Sequence, residues 1–197
     1  MSKKKIAVFV DWENIRKSVF EDVYKNTGKK IDYNDVQNAL KLILSFVETN
    51  DEEIYRIFVY LCEPYGGIIN GFDYKTTPVY VLGSKFIEDI QVKDYVAVRK
   101  GKLAFRGFDK FNKPIFVQKQ VDMLIGLDIA HIAFNKYVDR ALILCFDTDI
   151  IPAMKIARMN GLQVIWGWYS DVLGNPPDAL RKHSDFIRDK EFNSIFP

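Results

Sequence analysis

Four aspartates stand where strand-like segments give way to helix-like ones: Asp11, Asp122, Asp147 and Asp149. Carboxylates a few ångströms apart raise one another's pKa and repel. A hard divalent cation such as Mg²⁺ or Mn²⁺ offsets that repulsion, because it takes oxygen ligands and keeps several waters. Held by carboxylates, such an ion lowers the pKa of a bound water and neutralises charge on a phosphodiester. Competing chemistries lack their residues. His131 and His183 are the only histidines and lie in helix-like stretches, so no Ser-His-Asp or Cys-His arrangement is indicated. Cys62 and Cys145 lie in separate apolar runs, with no zinc spacing to either histidine. Each reads as a small buried hydrophobe, in a chain suited to a reducing cytoplasm.

The elements that must position these acids are legible as alternating patterns. Residues 5–10 form an apolar run that predicts a buried strand ending at Asp11, with Asp11-Trp12-Glu13-Asn14 as a strand-to-helix turn. Helical spacing predicts a helix over 33–49, capped by Asp32 or Asn34, followed by a strand over 54–62. Residues 64–78 read as a loop, 79–82 as a third strand and 84–91 as a short helix. Residues 95–98 and 103–105 flank Arg99-Lys100-Gly101-Lys102 and predict a β-hairpin turning at Gly101. Beyond it come a helix over 121–135, a strand over 141–146 and a helix over 150–159 stopped by Asn160-Gly161. A strand over 162–168 and a helix over 178–187 complete the pattern. Such alternation calls for a mostly parallel sheet with helices on both faces, in a single domain over 1–197. Ligands in such sheets bind beyond the carboxyl ends of the strands, where all four aspartates fall. Asp128 follows Asp122 by six residues, about 120° around a helix, and reads either as a rim ligand or as a partner for Lys or Arg.

Net charge is only +2, but its distribution is uneven. Residues 93–119 carry eight basic residues against Asp94 and Asp109, a segment of +6 that leaves −4 for the rest. Within it Arg99, Lys100, Lys102 and Arg106 are candidate phosphate contacts, interleaved with aromatics. Trp12, beside the acids, is a candidate base-stacking residue. No apolar run approaches the roughly 18 residues of a membrane helix, so no membrane role is expected.

Three segments now resemble a known family. They are Val10-Asp11-Trp12-Glu13-Asn14, Gln120-Val121-Asp122-Met123-Leu124-Ile125-Gly126-Leu127-Asp128 and Phe146-Asp147-Thr148-Asp149-Ile150-Ile151-Pro152. They look like the signature blocks of NYN domains, in the bacterial branch of the PIN-like nuclease superfamily. The resemblance implies a PIN-like three-layer sandwich, here with a basic β-hairpin excursion. It implies acidic ligands at Asp11, Asp122, Asp147, Asp149 and Asp128, with Asn14 as a supporting polar residue. Cys145-Phe146 stands where the family has Ser-Gly, Thr148 where it has Ser and Ile150 where it has Phe. The implied activity is that of an endoribonuclease using Mg²⁺ or Mn²⁺ to hydrolyse single-stranded RNA through a metal-activated water. The alternative is an RNA-binding or regulatory module of the same fold with weak or no turnover. A homo-oligomer is left open.

Overall fold

The computed structural model describes residues 2–197. Strand β1 (Lys4–Asp11) runs directly into α1 (Trp12–Ile15), a π-helical stretch (Arg16–Glu21) and α2 (Asp22–Thr27). Then come α3 (Val36–Leu44), β2 (Glu52–Cys62), the short β3 (Ile68–Ile69) and β4 (Phe72–Asp73), and α4 (Pro78–Gln91). The long β5 (Val96–Phe108) and β6 (Pro114–Lys119) lead into α5 (Val121–Asn135). The remainder is β7 (Arg140–Leu144), α6 (Ile151–Met159), β8 (Gln163–Trp168), α7 (Ser170–Leu173), α8 (Asp178–Arg181), β9 (Phe186–Asp189) and α9 (Phe192–Ile195).

The central sheet has the order β6-β5-β2-β1-β7-β8-β9. Every pairing in it is parallel except β5 with β6. β1 lies in the middle and is buried from Ile6 to Asp11. Its side chains alternate between two cores, as a strand covered on both faces requires. Ile6, Val8 and Val10 join the core beneath α3 and α4, and Ala7 and Phe9 join the core beneath α5 and α6. The chain is therefore a mixed α/β protein with a seven-stranded, mostly parallel sheet flanked by helices.

Several local expectations are corrected. Residues 79–82 are helical, because Pro78 opens α4 and the Thr77 side chain caps it by accepting from the Tyr80 N–H. α3 is capped by Asp35 rather than Asp32 or Asn34. Past α8 the chain extends into β9 instead of continuing as a helix to 187, so that Phe186–Asp189 can complete the sheet edge beside β8. Gly101 is not in a turn. It sits inside β5, where a Cβ would lie 2.7 Å from the Lys119 carbonyl oxygen and 2.7 Å from Val121 Cγ2. The true reversal is at 109–113, where Asp109 Oδ1 accepts the N–H groups of Phe111 and Lys113 and Asn112 takes φ 59°.

β5 has two halves. Ile57–Cys62 of β2 pairs with residues 96–101, and Lys102 onward pairs only with β6. The second half thus projects beyond the carboxyl edge of β2 as a two-stranded arm. At the opposite edge of the sheet, Glu52 is fully buried and accepts from both Arg188 (2.9 Å twice) and Arg140 (2.9 Å). Burial alone would raise the Glu52 pKa, but these hydrogen bonds hold it below the usual value. The cluster ties β2, β7 and β9 together across the sheet. Breaking a buried pair by removing one partner strands a charge, at a cost of about 3–5 kcal/mol. Arg188→Met is therefore expected to lower stability by that amount in urea unfolding, and a loss below about 1 kcal/mol would show that the cluster contributes little.

Candidate active site

Asp11 is the last residue of β1, and it is only 6% exposed. Its Oδ1 caps α1 by accepting from the Asn14 N–H at 3.1 Å. Its Oδ2 faces the Cys145 thiol at 3.9 Å. Val10 pairs with Leu144 across the sheet, so the segment after β7 opens at the same level. The Asn14 side chain fixes that segment: Oδ1 accepts from the Phe146 N–H at 2.9 Å. Asp147 follows, exposed, and caps a short 3-10 turn (Thr148–Ile150) by accepting from the Asp149 N–H at 3.0 Å. Asp149 is exposed beside it. Asp122 lies in the first turn of α5, also exposed. α5 is reached through Gln120, whose left-handed backbone (φ 75°) turns the chain from β6 into the helix.

These four carboxylates feel one another. Burial, chiefly, pushes the Asp11 pKa up from 3.8 to about 6; the Asn14 N–H opposes this, and the charges of Asp122, Glu13 and Asp147 add to it. The Asp122 pKa is also raised, first by burial and then by Asp147 and Asp149. The acids therefore share one electrostatic neighbourhood at the carboxyl edge of the sheet. Among the described residues, no three His, Cys, Asp or Glu side chains are drawn close enough to hold one ion as they stand. Asp122 and Asp149 stand exposed, whereas Asp11 is held by the Asn14 N–H and Asp147 by its cap on the Asp149 N–H.

Other candidates are placed elsewhere. Asp128 points away to Arg99, whose Nε donates at 2.8 Å, and to Tyr60, whose hydroxyl donates at 2.9 Å. Its separation of six residues from Asp122, about 120° around the helix, sets it on another side of α5, where it neutralises Arg99. Arg99 is thereby committed, packed over the Phe58 ring, and Lys100 is paired with Glu63 at 2.7 Å. Lys102 and Arg106 are exposed on the arm. Trp12 is not a base-stacking surface: it is 4% exposed and stacks on Phe86 at 5.1 Å in the core. A buried helix start beside two aromatic partners keeps an indole better than a wet rim does. Phe105 and Phe116 likewise pack against each other, and Phe116 against Tyr65 and edge-on against Tyr74. Of the arm aromatics Phe111 is open to solvent, while Phe108 is 38% exposed and packs edge-on against Phe105.

Sequence reasoning missed Glu13. It lies next to the site, raises the Asp11 pKa, and gathers Arg16 (2.6 Å) and Lys17 (3.2 Å) around its carboxylate. The i, i+3 and i, i+4 spacing of these residues was the available signal. Its partners hold the Glu13 pKa below the usual value despite burial, so the site is bordered by two cations.

Comparison with known proteins now places this geometry. The NYN domain family matches residues 5–188. The chain belongs to the NYN domain family. The NYN domain carries a nuclease-family fold within the PIN-like superfamily. No curated protein matches. Among solved structures, one titled "Crystal Structure of Sa239" aligns at 11% identity with a TM-score of 0.33, covering 95% of this chain and 61% of that one. The present chain thus spans less than two thirds of that protein.

The Asp11 shift has a definite sign. An acid whose folded pKa lies above its unfolded value destabilises the fold once pH passes the unfolded value, and the penalty is complete above the folded value. A displacement from 3.8 to about 6 corresponds to about 3 kcal/mol, at about 1.36 kcal/mol per pH unit. In metal-free buffer Asp11→Asn is expected to be more stable than the parent at pH 7 by up to about 3 kcal/mol. The difference should shrink through the window from pH 6 to pH 4. Urea unfolding at several pH values reads this directly, and a variant less stable than the parent at pH 7 would refute it.

Proposed function

We propose that this NYN domain is an endoribonuclease that hydrolyses single-stranded RNA with a divalent cation, Mg²⁺ or Mn²⁺. The single observation that carries the reading is the convergence of Asp11, Asp122, Asp147 and Asp149 on one sheet edge, with the buried Asp11 driven to a pKa of about 6 by desolvation and by its own neighbours. A hard-oxygen donor set with unrelieved negative charge fits a hard divalent cation. Asp11, Asp122, Asp147 and Asp149 would hold it, and it would supply charge neutralisation on the phosphodiester and a water of lowered pKa.

The remaining chemistry belongs to the chain. Asp11 is the fixed reference point, since its strand position, the Asn14 N–H and the Cys145 thiol leave it little rotamer freedom. Asn14 is a positioning residue: it sets the height of the Phe146–Asp149 segment relative to Asp11. Exposed Asp122, Asp147 and Asp149 close in from two other elements. No histidine borders the acids, which disfavours the cyclic-phosphate route that draws on a general acid and base. Hydrolysis would therefore leave a 5′-phosphate and a 3′-hydroxyl. Exposed Lys102 and Arg106 on the arm, with Lys17 beside Glu13, offer phosphate contacts around the site. A single strand can bend its backbone into an edge site that a duplex cannot enter. Both thiols are free, which suits a reducing cytoplasm.

Two measurements test this. Mn²⁺ should raise the melting temperature in a concentration-dependent way, as any ligand of the folded state must, and Asp147→Asn should blunt that rise. Labelled single-stranded RNA should be cut with 5′-phosphate products, with Asp122→Asn lowering kcat by at least about 10²-fold, the scale of losing one charge-stabilising group. Cyclic-phosphate ends, or cleavage that survives EDTA, would exclude the mechanism. Tight RNA binding with no cleavage in either metal would favour the binding module, which the absence of a closed chelating trio among the described residues also suits.

A further inference from the structure

The arm has two unlike faces. Along β6 exposure alternates without a break: Pro114, Phe116 and Gln118 are half-buried, and Ile115, Val117 and Lys119 are exposed. Residues directly opposite each other in an antiparallel pair share a face. Leu103 stands opposite Gln118, and Phe105 opposite Phe116. That face is occupied, since Phe116 packs against Tyr65 and Tyr74. The outer face carries Lys102 opposite Lys119, and Ala104 opposite Val117. Beyond them the register shifts between Phe105 and Phe108, which leaves Arg106 and Gly107 against Ile115. The rings of Phe105 and Phe108 meet on the aromatic face, their centroids 5.3 Å apart. Arg106 therefore looks the other way, with Lys102.

The outer face contains an unfavourable contact. Lys102 and Lys119 are cross-strand neighbours, and like charges directly opposite each other destabilise a ladder. Both are exposed, as is Arg106. Arg99 and Lys100, nearer the root, are paired with Asp128 and Glu63, but among the described residues Lys102, Arg106 and Lys119 have no acidic partner. Asp109, at the far end of the arm, is engaged by the N–H groups of Phe111 and Lys113.

We propose that this outer face, through Lys102, Lys119 and Arg106, holds the phosphate backbone of the RNA strand that the acidic site cuts. The proposal deepens the ribonuclease reading and rests on it for the identity of the occupant. Charge complementarity favours an anion, because a phosphate between Lys102 and Lys119 turns their repulsion into two attractions. Reach favours a chain of phosphates over a single one: Lys102 and Arg106 are four residues apart on a strand, about 13 Å. Position favours a strand that leads into the site. Lys119 ends β6, and only Gln120 and Val121 separate it from Asp122. Between the cations lie Ala104, Val117 and Ile115, which offer no side-chain donor or acceptor to a base edge. Contacts to phosphate alone fix position without reading sequence, so the arm binds RNA of any sequence and in a strongly salt-dependent way.

The test reads binding in EDTA, so it succeeds or fails whether or not the chain cleaves RNA. Labelled oligouridylate and a mixed-sequence single strand, each of about 12 nucleotides, should bind with similar affinity. Replacing Lys102, Arg106 and Lys119 together by Ser should flatten the slope of log affinity against log salt by about 2, at about 0.7 for each phosphate contact on a single strand. Replacing Lys4, Lys155 and Lys182 by Ser removes the same charge from exposed positions off the arm and should leave the slope unchanged. Lys119→Glu converts the repelling pair into an attracting one. It should keep or raise the melting temperature while weakening RNA binding at least about 10-fold, a combination that a misfolded variant does not give. An unchanged slope in the arm variant, an equal loss in the charge control, or Lys119→Glu binding as tightly as the parent would overturn the proposal. So would a strong preference between the two strands, or a chain that ignores both and binds anionic lipid vesicles through the same three residues.

Discussion

A carboxylate at the end of the most deeply buried strand has few places to put its charge. Asp11 keeps one oxygen on a backbone N–H and turns the other to a thiol, a weak donor. Burial and three neighbouring acids do the rest, and its pKa stands near 6. Everything around it serves to keep that arrangement in place. The parallel pairing of β1 with β2 and β7 fixes the level at which the strand ends. Asn14 then links the turn after β1 to the turn after β7 with a single side-chain hydrogen bond. At the far edge the Glu52 cluster, itself an ion group buried at a cost, ties two of these strands, β2 and β7, to β9. The fold spends its strongest polar contacts at the two ends of the sheet and fills the middle with aliphatic side chains.

The two faces of the sheet are put to different uses. Asp11, Cys145 and α5 belong to one face, and along β5 the same side carries Arg99 and Gly101. Lys100 alternates to the other side and meets Glu63. The basic segment is thus divided: part is neutralised by nearby acids, part remains in solvent along the arm. A count of charges along the chain shows none of this, because pairing is a property of which strand lies beside which helix.

What could be read beforehand follows the same logic. β1, α5 and the acid after each strand were legible because their patterns are local: an apolar run ending in Asp, or a helical period opening at Val121. The helical period of α5 coincides with its observed bounds, residues 121–135. Trp12 was misassigned because adjacency to an acid in the chain says nothing about direction, and one residue past Asp11 the chain has turned inward. Gly101 was misread because glycine serves both turns and close approach, and the approach here is by Lys119 and Val121, residues distant in the chain. The strand expected at 79–82 failed for a simpler reason. Val79, Tyr80, Val81 and Leu82 favour strands, but Pro78 and Thr77 form a helix start that overrides them.

β5 serves two structures without a break. Its first half is a parallel member of the sheet, its second half one rail of the arm, and no flexible joint divides them. At the crossing Gly101 lies against the Lys119 carbonyl and Val121, so closely that no side chain fits there. From the reversal at 109–113 the chain returns along β6 and, through the left-handed Gln120 alone, enters the first turn of α5, where Asp122 stands. The arm and that helix are thus one residue apart in the chain, and whatever seats the arm also sets where α5 begins.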